Sequence, residues 1–154
     1  MWIDIKDKNN FQDSSKLRGL RITFDKKIEQ NRIAEVKRFA DWLRKRYYFP
    51  IRCDVHIDFC SYFEKRDNKD VDSVVDFYYK ESTLPSIRIA AYPMKKSKDK
   101  DFYIQIQARL AYALTFYYQW FFYAFDERSD RSLKIEATKW QNYIMQEYMG
   151  KDNK

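Results

Sequence analysis

Histidine is the scarcest chemically useful residue in this chain: 154 residues contain one, His56, together with two glycines, two cysteines and three prolines. A single imidazole excludes a zinc site built on paired histidines. It also leaves His56 as the only base for a serine or cysteine triad, and nothing in the sequence positions a partner for it. With glycine only at positions 19 and 150, no glycine-rich phosphate loop can form. Cys53 and Cys60 are too few for a disulfide framework and read as free thiols in a reducing compartment. No apolar run reaches the roughly 20 residues of a membrane span, and the first residues lack a signal-peptide pattern. The expectation is a soluble, cytoplasmic protein with no membrane partner.

What is abundant is aromatic and basic. Phe, Tyr and Trp make up 19% of the chain, which predicts a core built largely from rings. The net charge of +7 permits an acidic partner, whether nucleic acid, membrane surface or protein, but is equally a solubility device. The length suits one domain over residues 1–154, with residues 1–19 as an N-terminal arm and residues 151–154 as a frayed tail.

Element by element, the pattern predicts an α+β chain. Leu20, Ile22 and Phe24 alternate with Arg21 and Thr23, as at a short strand or the start of a helix. Ile33, Val36, Ala40, Leu43 and Tyr47 share one face of an amphipathic helix over residues 29–49, stopped by Pro50. Residues 51–60 alternate strictly, with Ile51, Cys53, Val55, Ile57 and Phe59 on one side, as a half-buried strand does. Further strands are predicted over residues 71–79 and 86–91. A polar connection over residues 94–100 leads to a long apolar helix, capped by Asp99 or Asp101, through residues 101–126. A final helix, capped by Ser129 or Asp130, runs to Met149 and ends at Gly150.

The run Leu114-Thr115-Phe116-Tyr117-Tyr118-Gln119-Trp120 resembles the helix of small zincin-type metallopeptidases, where His-Glu-Leu-Thr-His is followed by Tyr-Tyr-Gln-Trp or close variants. In that register Tyr112 and Phe116 stand at the two zinc-histidine positions and Ala113 at the general-base glutamate. Downstream, Ser132-Leu133-Lys134-Ile135-Glu136-Ala137 and Trp140 resemble the following helix, with Glu136 at the third-ligand position. The resemblance implies a zincin-like fold with an N-terminal helix, a small mixed sheet of about three strands, a long central helix and a C-terminal helix. Its motif is degenerate, so it implies no peptidase activity, no metal and no cofactor.

Chemistry agrees with that implication. Phenylalanine cannot coordinate zinc, and a neutral tyrosine is a poor substitute for imidazole. Tyr112 and Phe116 are expected to fill the former metal cavity. Glu136, deprived of a metal, is expected to bond the Tyr112 hydroxyl or a nearby Lys or Arg, with a plain surface glutamate as the alternative. A metal site at His56, Cys53, Asp54, Asp58 and Cys60 is disfavoured, because Cys53 points away from His56 and Cys60 lies roughly 13 Å along the strand at ~3.3 Å per residue.

The function expected on these grounds is non-catalytic protein binding, by addition of an extended partner segment to an exposed strand edge. Residues 71–79 are the first choice of edge and residues 86–91 the second. Inhibitors or decoys in conflicts between mobile elements and hosts are an analogy from fold alone. Arg44, Lys45, Arg46, Lys95, Lys96 and Lys98 form the candidate basic partner-binding face, although cations near a helix C-terminus also suit its dipole. One alternative is a nucleic-acid-binding protein, with Trp42 and Tyr48 as candidate stacking residues. The other is a metallopeptidase with a non-standard metal site.

Overall fold

Alternation of apolar and polar side chains builds the sheet of this protein, and helical spacing of apolar ones builds the layer that covers it. The computed structural model describes residues 1–13, 16–64, 72–92 and 99–151. In chain order the elements are a 3-10 helix at Ile5–Asn10, β1 at Leu20–Phe24, α1 at Gln30–Arg46, β2 at Cys53–Asp58 and β3 at Phe63–Glu64. There follow β4 at Asp72–Ser73, β5 at Val75–Tyr78, β6 at Ser86–Ala90, α2 at Asp99–Phe121, a 3-10 turn at Ala124–Asp126 and α3 at Asp130–Met149. The architecture is α+β, as expected.

Strands β1, β2, β6 and β5 form one mixed sheet in that order. β1 and β6 are both parallel to β2, whereas β5 runs antiparallel to β6 at the end of the sheet. β3 and β4 pair separately as a short antiparallel ladder. The expectation of about three strands is corrected accordingly to four plus this pair. Residues 71–79 do not make one strand: within the described residues the segment divides at Val74 into β4, which pairs with β3, and β5, which pairs with β6.

The helices lie on one face of the sheet, α1 on β1 and α2 on β5 and β6, and α3 packs on α2. Cys53, Val55, Ile57, Ile87 and Ile89 point into this layer and are buried. Alternate residues face away, so Thr23, His56 and Arg88 lie side by side on the opposite, polar face. α2 brings Ile106, Leu110, Ala113, Leu114, Tyr117 and Tyr118 to the centre of the core. It ends at Phe121 rather than continuing to Asp126, because Tyr123 turns left-handed at φ 60° and the chain tightens into a 3-10 turn. α3 begins behind a Ser129 cap, whose hydroxyl accepts from the Ser132 N–H.

The N-terminal arm is part of the core. Trp2 and Ile3 are buried, the Trp2 Nε1–H donates to Thr115 Oγ1 at 3.1 Å, and the indole stacks on Trp140 at 5.7 Å. Gly19 holds φ +104°, a left-handed conformation that a side chain would strain, and its carbonyl accepts from the Cys53 N–H to start the β1–β2 pairing.

Candidate functional site

Tyr112 and Phe116 sit one turn apart on α2, and their rings meet edge to face with centroids 5.0 Å apart. Both are half-buried, so they pair at the boundary of the core and do not plug a closed cavity as expected. Ala113 is fully buried. Burial pushes the Tyr112 hydroxyl above the usual phenol range, which keeps it neutral and unsuited to a cation.

Glu136 meets α2 further along. Its Oε1 accepts from Gln119 Nε2 at 2.9 Å and from Arg128 Nη1 at 3.1 Å, and its Oε2 lies 3.8 Å from the terminal ammonium of Met1. The expected cationic partner is therefore Arg128. The Tyr112 hydroxyl is not a partner, and geometry explains why: Gln119 lies seven residues past Tyr112, about 10 Å along the helix at ~1.5 Å per residue. Desolvation raises the Glu136 carboxyl, but the Gln119 hydrogen bond, the ammonium and Arg128 outweigh it and hold the group below the usual glutamate value. Gln119 Nε2 also donates to the Leu133 carbonyl, which joins the C-terminal half of α2 to the first turn of α3.

The candidate basic face is largely committed to internal contacts. Arg44 donates to the Leu20 carbonyl and pairs with Asp41 at 2.8 Å; Arg46 pairs with Glu147 at 3.5 Å and covers the Trp42 ring at 4.8 Å. Lys45 is exposed. Lys95, Lys96 and Lys98 lie outside the described residues, and the side chains of Asp99 and Asp101, the expected caps, are likewise not described. Trp42 is packed between Phe39 and Tyr148, and Tyr48 is buried, so neither offers a stacking surface.

His56 has acquired neighbours that spacing along one strand could not show. Thr23 Oγ1 lies 2.7 Å from its Nδ1, and Asp58 Oδ1 lies 3.2 Å from its Nε2; Arg88 Nε donates to Asp58 Oδ2 at 2.8 Å. The four residues form a cross-strand ladder on the open sheet face. Its order of hydroxyl, imidazole and carboxylate matches a hydrolytic triad, yet it lies on an open sheet face, and the N–H groups of β2 around His56 are spent on pairing with β1 and β6. Among the described residues no three His, Cys, Asp or Glu are grouped to hold a metal ion.

A cleft of ≈ 760 Å³ lies beside the end of β5. Phe11, Tyr79, Trp120, Phe121 and Tyr123 give it aromatic walls, and Lys16, Lys80, Asp13 and Glu81 supply charge of both signs. Two of its residues, Ser82 at φ 68° and Tyr123 at φ 60°, are the non-glycine residues with left-handed backbone among those described. Such conformations cost roughly 1–3 kcal/mol and cluster where side chains must be aimed for a purpose. Tyr123 is 75% exposed and Tyr79 47%, a large apolar offering for solvent.

The cleft adjoins the outer edge of β5, which pairs with no strand but β6 among the described residues. The Val74 carbonyl accepts from the Ala90 N–H, and Val75 stands opposite Ile89. Alternation along an antiparallel ladder then directs the N–H and C=O of Val75 and Phe77 outward, where no strand among the described residues lies and where the Val75 carbonyl accepts from the Ser73 hydroxyl. Of the two candidate edges, residues 86–91 are excluded, because β6 is hydrogen-bonded to β2 on one side and β5 on the other. Sequence reasoning missed the cleft, since its walls come from four separate segments. A signal was present in the crowding of Tyr78, Tyr79, Trp120, Phe121 and Tyr123 around two predicted element ends.

Compared with known proteins, the chain matches no family model, no curated protein and no solved structure. No helix among the described residues is long and apolar enough to cross a membrane.

Proposed function

We propose that this protein is a non-catalytic, zincin-like domain that binds an extended segment of a protein partner by adding it as a strand to β5. The observation that carries the reading is the continuity of the outward-facing edge at Val75 and Phe77 with the aromatic cleft at Tyr79, Trp120 and Tyr123. Main-chain hydrogen bonds along such an edge supply affinity, and a neighbouring pocket supplies side-chain selectivity. The absence of histidine and glutamate at positions 112, 113 and 116 supports a binding role over peptide hydrolysis.

The test is selection of peptides from a displayed random library on the whole protein, followed by titration against two variants. Val75→Pro removes the outward N–H, which the β5–β6 ladder does not use, and should weaken selected peptides at least tenfold with unchanged circular dichroism. Trp120→Ala should shift which side chains are selected. Peptides that bind Val75→Pro as well as the parent would sink strand addition.

A further inference from the structure

α3 presents a second surface that shares no residue with the cleft. Arg131, Lys134, Ile135, Thr138, Lys139 and Asn142 recur at steps of three and four and are all exposed, so they form one outward stripe. The first five line a shallow depression of ≈ 620 Å³. The carboxylates of α3 beyond its first residue are turned away from the stripe, Glu136 to Gln119 and Arg128, and Glu147 to Arg46. Asp130, at the helix start, is the acidic exception. Arg131, Lys134 and Lys139 take part in no ion pair among the described residues, in contrast to Arg44 and Arg46 on α1.

We propose that this face binds duplex DNA, with Arg131, Lys134 and Lys139 on backbone phosphates and α3 lying in the major groove. Charge complementarity selects an anionic partner: three cations without partners project from one helix of a chain that carries a net +7. The stripe's polarity selects nucleic acid over a membrane. Thr138, Asn142 and Gln146 interrupt Ile135, Tyr143 and Met149, so no continuous apolar surface is available to sink among lipid chains. Asn and Gln side chains match the adenine edge in the major groove, which at ≈ 12 Å wide admits a helix ~10–12 Å thick.

Fluorescence anisotropy of the full chain with a labelled duplex of about 20 base pairs, from about 50 to 200 mM salt, tests this through the slope of log affinity against log salt. K134Q/K139Q should weaken binding at least tenfold and flatten the slope by about 2, at ~0.9 per lost phosphate contact. The matched variant K26Q/K37Q removes the same charge from exposed positions just before and on α1 and should change affinity less than threefold. All four lysines are exposed, so the fold should be kept in both variants, as read by circular dichroism. Equal losses in the two variants would reduce the effect to net charge and overturn the site. No binding to the duplex at the lowest salt, equal binding to single-stranded DNA, or binding only to phosphatidylserine vesicles or to polyglutamate would also overturn it.

Discussion

Gln119 holds Glu136: the amide of one donates to the carboxylate of the other at 2.9 Å, while the same nitrogen donates to the Leu133 carbonyl. A carboxyl whose pKa is lower in the folded than in the unfolded chain stabilises fully above the unfolded value, and that contribution is lost as pH falls through the folded one. Glu136 is such a group. Glu136→Leu is therefore expected to be less stable than the parent at pH 7 by about 1–2 kcal/mol, part of it from leaving Gln119 and Arg128 short of an acceptor. Urea melts should show the gap narrowing as pH is lowered from about 5 towards 3, across the carboxylate range. A gap that stays constant with pH would mean the charge contributes nothing.

Tyrosines give the opposite sign at the alkaline end. Burial pushes the Tyr47 hydroxyl up to about 12 and holds those of Tyr117 and Tyr118 well above the usual phenol range. A raised folded pKa contributes stability that is complete below the unfolded value near 10 and is lost as pH rises through the folded one. Stability should therefore fall steeply above about pH 10, with a group of tyrosines silent in the tyrosinate absorbance until the chain unfolds. Tyr117 also donates to the Ile51 carbonyl and accepts from the Ile51 N–H. Tyr117→Phe leaves both groups without this partner, which should cost about 2–3 kcal/mol. In thermal melts that corresponds to a Tm lower by roughly 4–10 °C for a chain of this size.

Most elements could be read in the sequence because each has its own periodicity. The strict alternation through Cys53, Val55 and Ile57 gave β2, the apolar spacing of Val36, Ala40 and Leu43 gave α1, and Ser129 before an apolar run gave the start of α3. β3 and β4 were invisible, since two-residue strands carry no pattern. Strand order is not a local property either, so the interior place of Ser86–Ala90, the Thr23–His56 contact and the cleft had no signal in any one segment. The helix through residues 112–120 was legible from its apolar spacing, but no local pattern could reveal that Glu136 pairs two turns beyond Tyr112.

That offset makes a prediction about metal. Tyr112→His with Phe116→His restores two imidazoles at i and i+4, a spacing that suits zinc. With Glu136 held at the level of Gln119 by the Gln119 and Arg128 hydrogen bonds, the third ligand should remain out of reach. The double variant is expected to keep well under one zinc per chain after desalting, by elemental analysis, and the parent close to none. One zinc per chain in the double variant, lost on adding Glu136→Gln, would show that the carboxylate can swing into a ligand position.

Tyr123 links strain to the proposed binding role. It stands just past the end of α2 in the left-handed region at φ 60°, ψ 24°, where glycine is the usual residue, and its ring is 75% exposed. A non-glycine residue there costs roughly 1–2 kcal/mol, so a sequence shaped for stability alone would carry glycine. Tyr123→Gly relieves that cost but adds backbone freedom to the unfolded chain, and a net gain of about 0.5–1 kcal/mol is expected in urea melts. The same change removes one wall of the cleft and should weaken peptides selected on the parent by several-fold. Greater stability with weaker binding would identify the strain as serving the site. Greater stability with binding unchanged would place Tyr123 outside it and confine capture to the β5 edge.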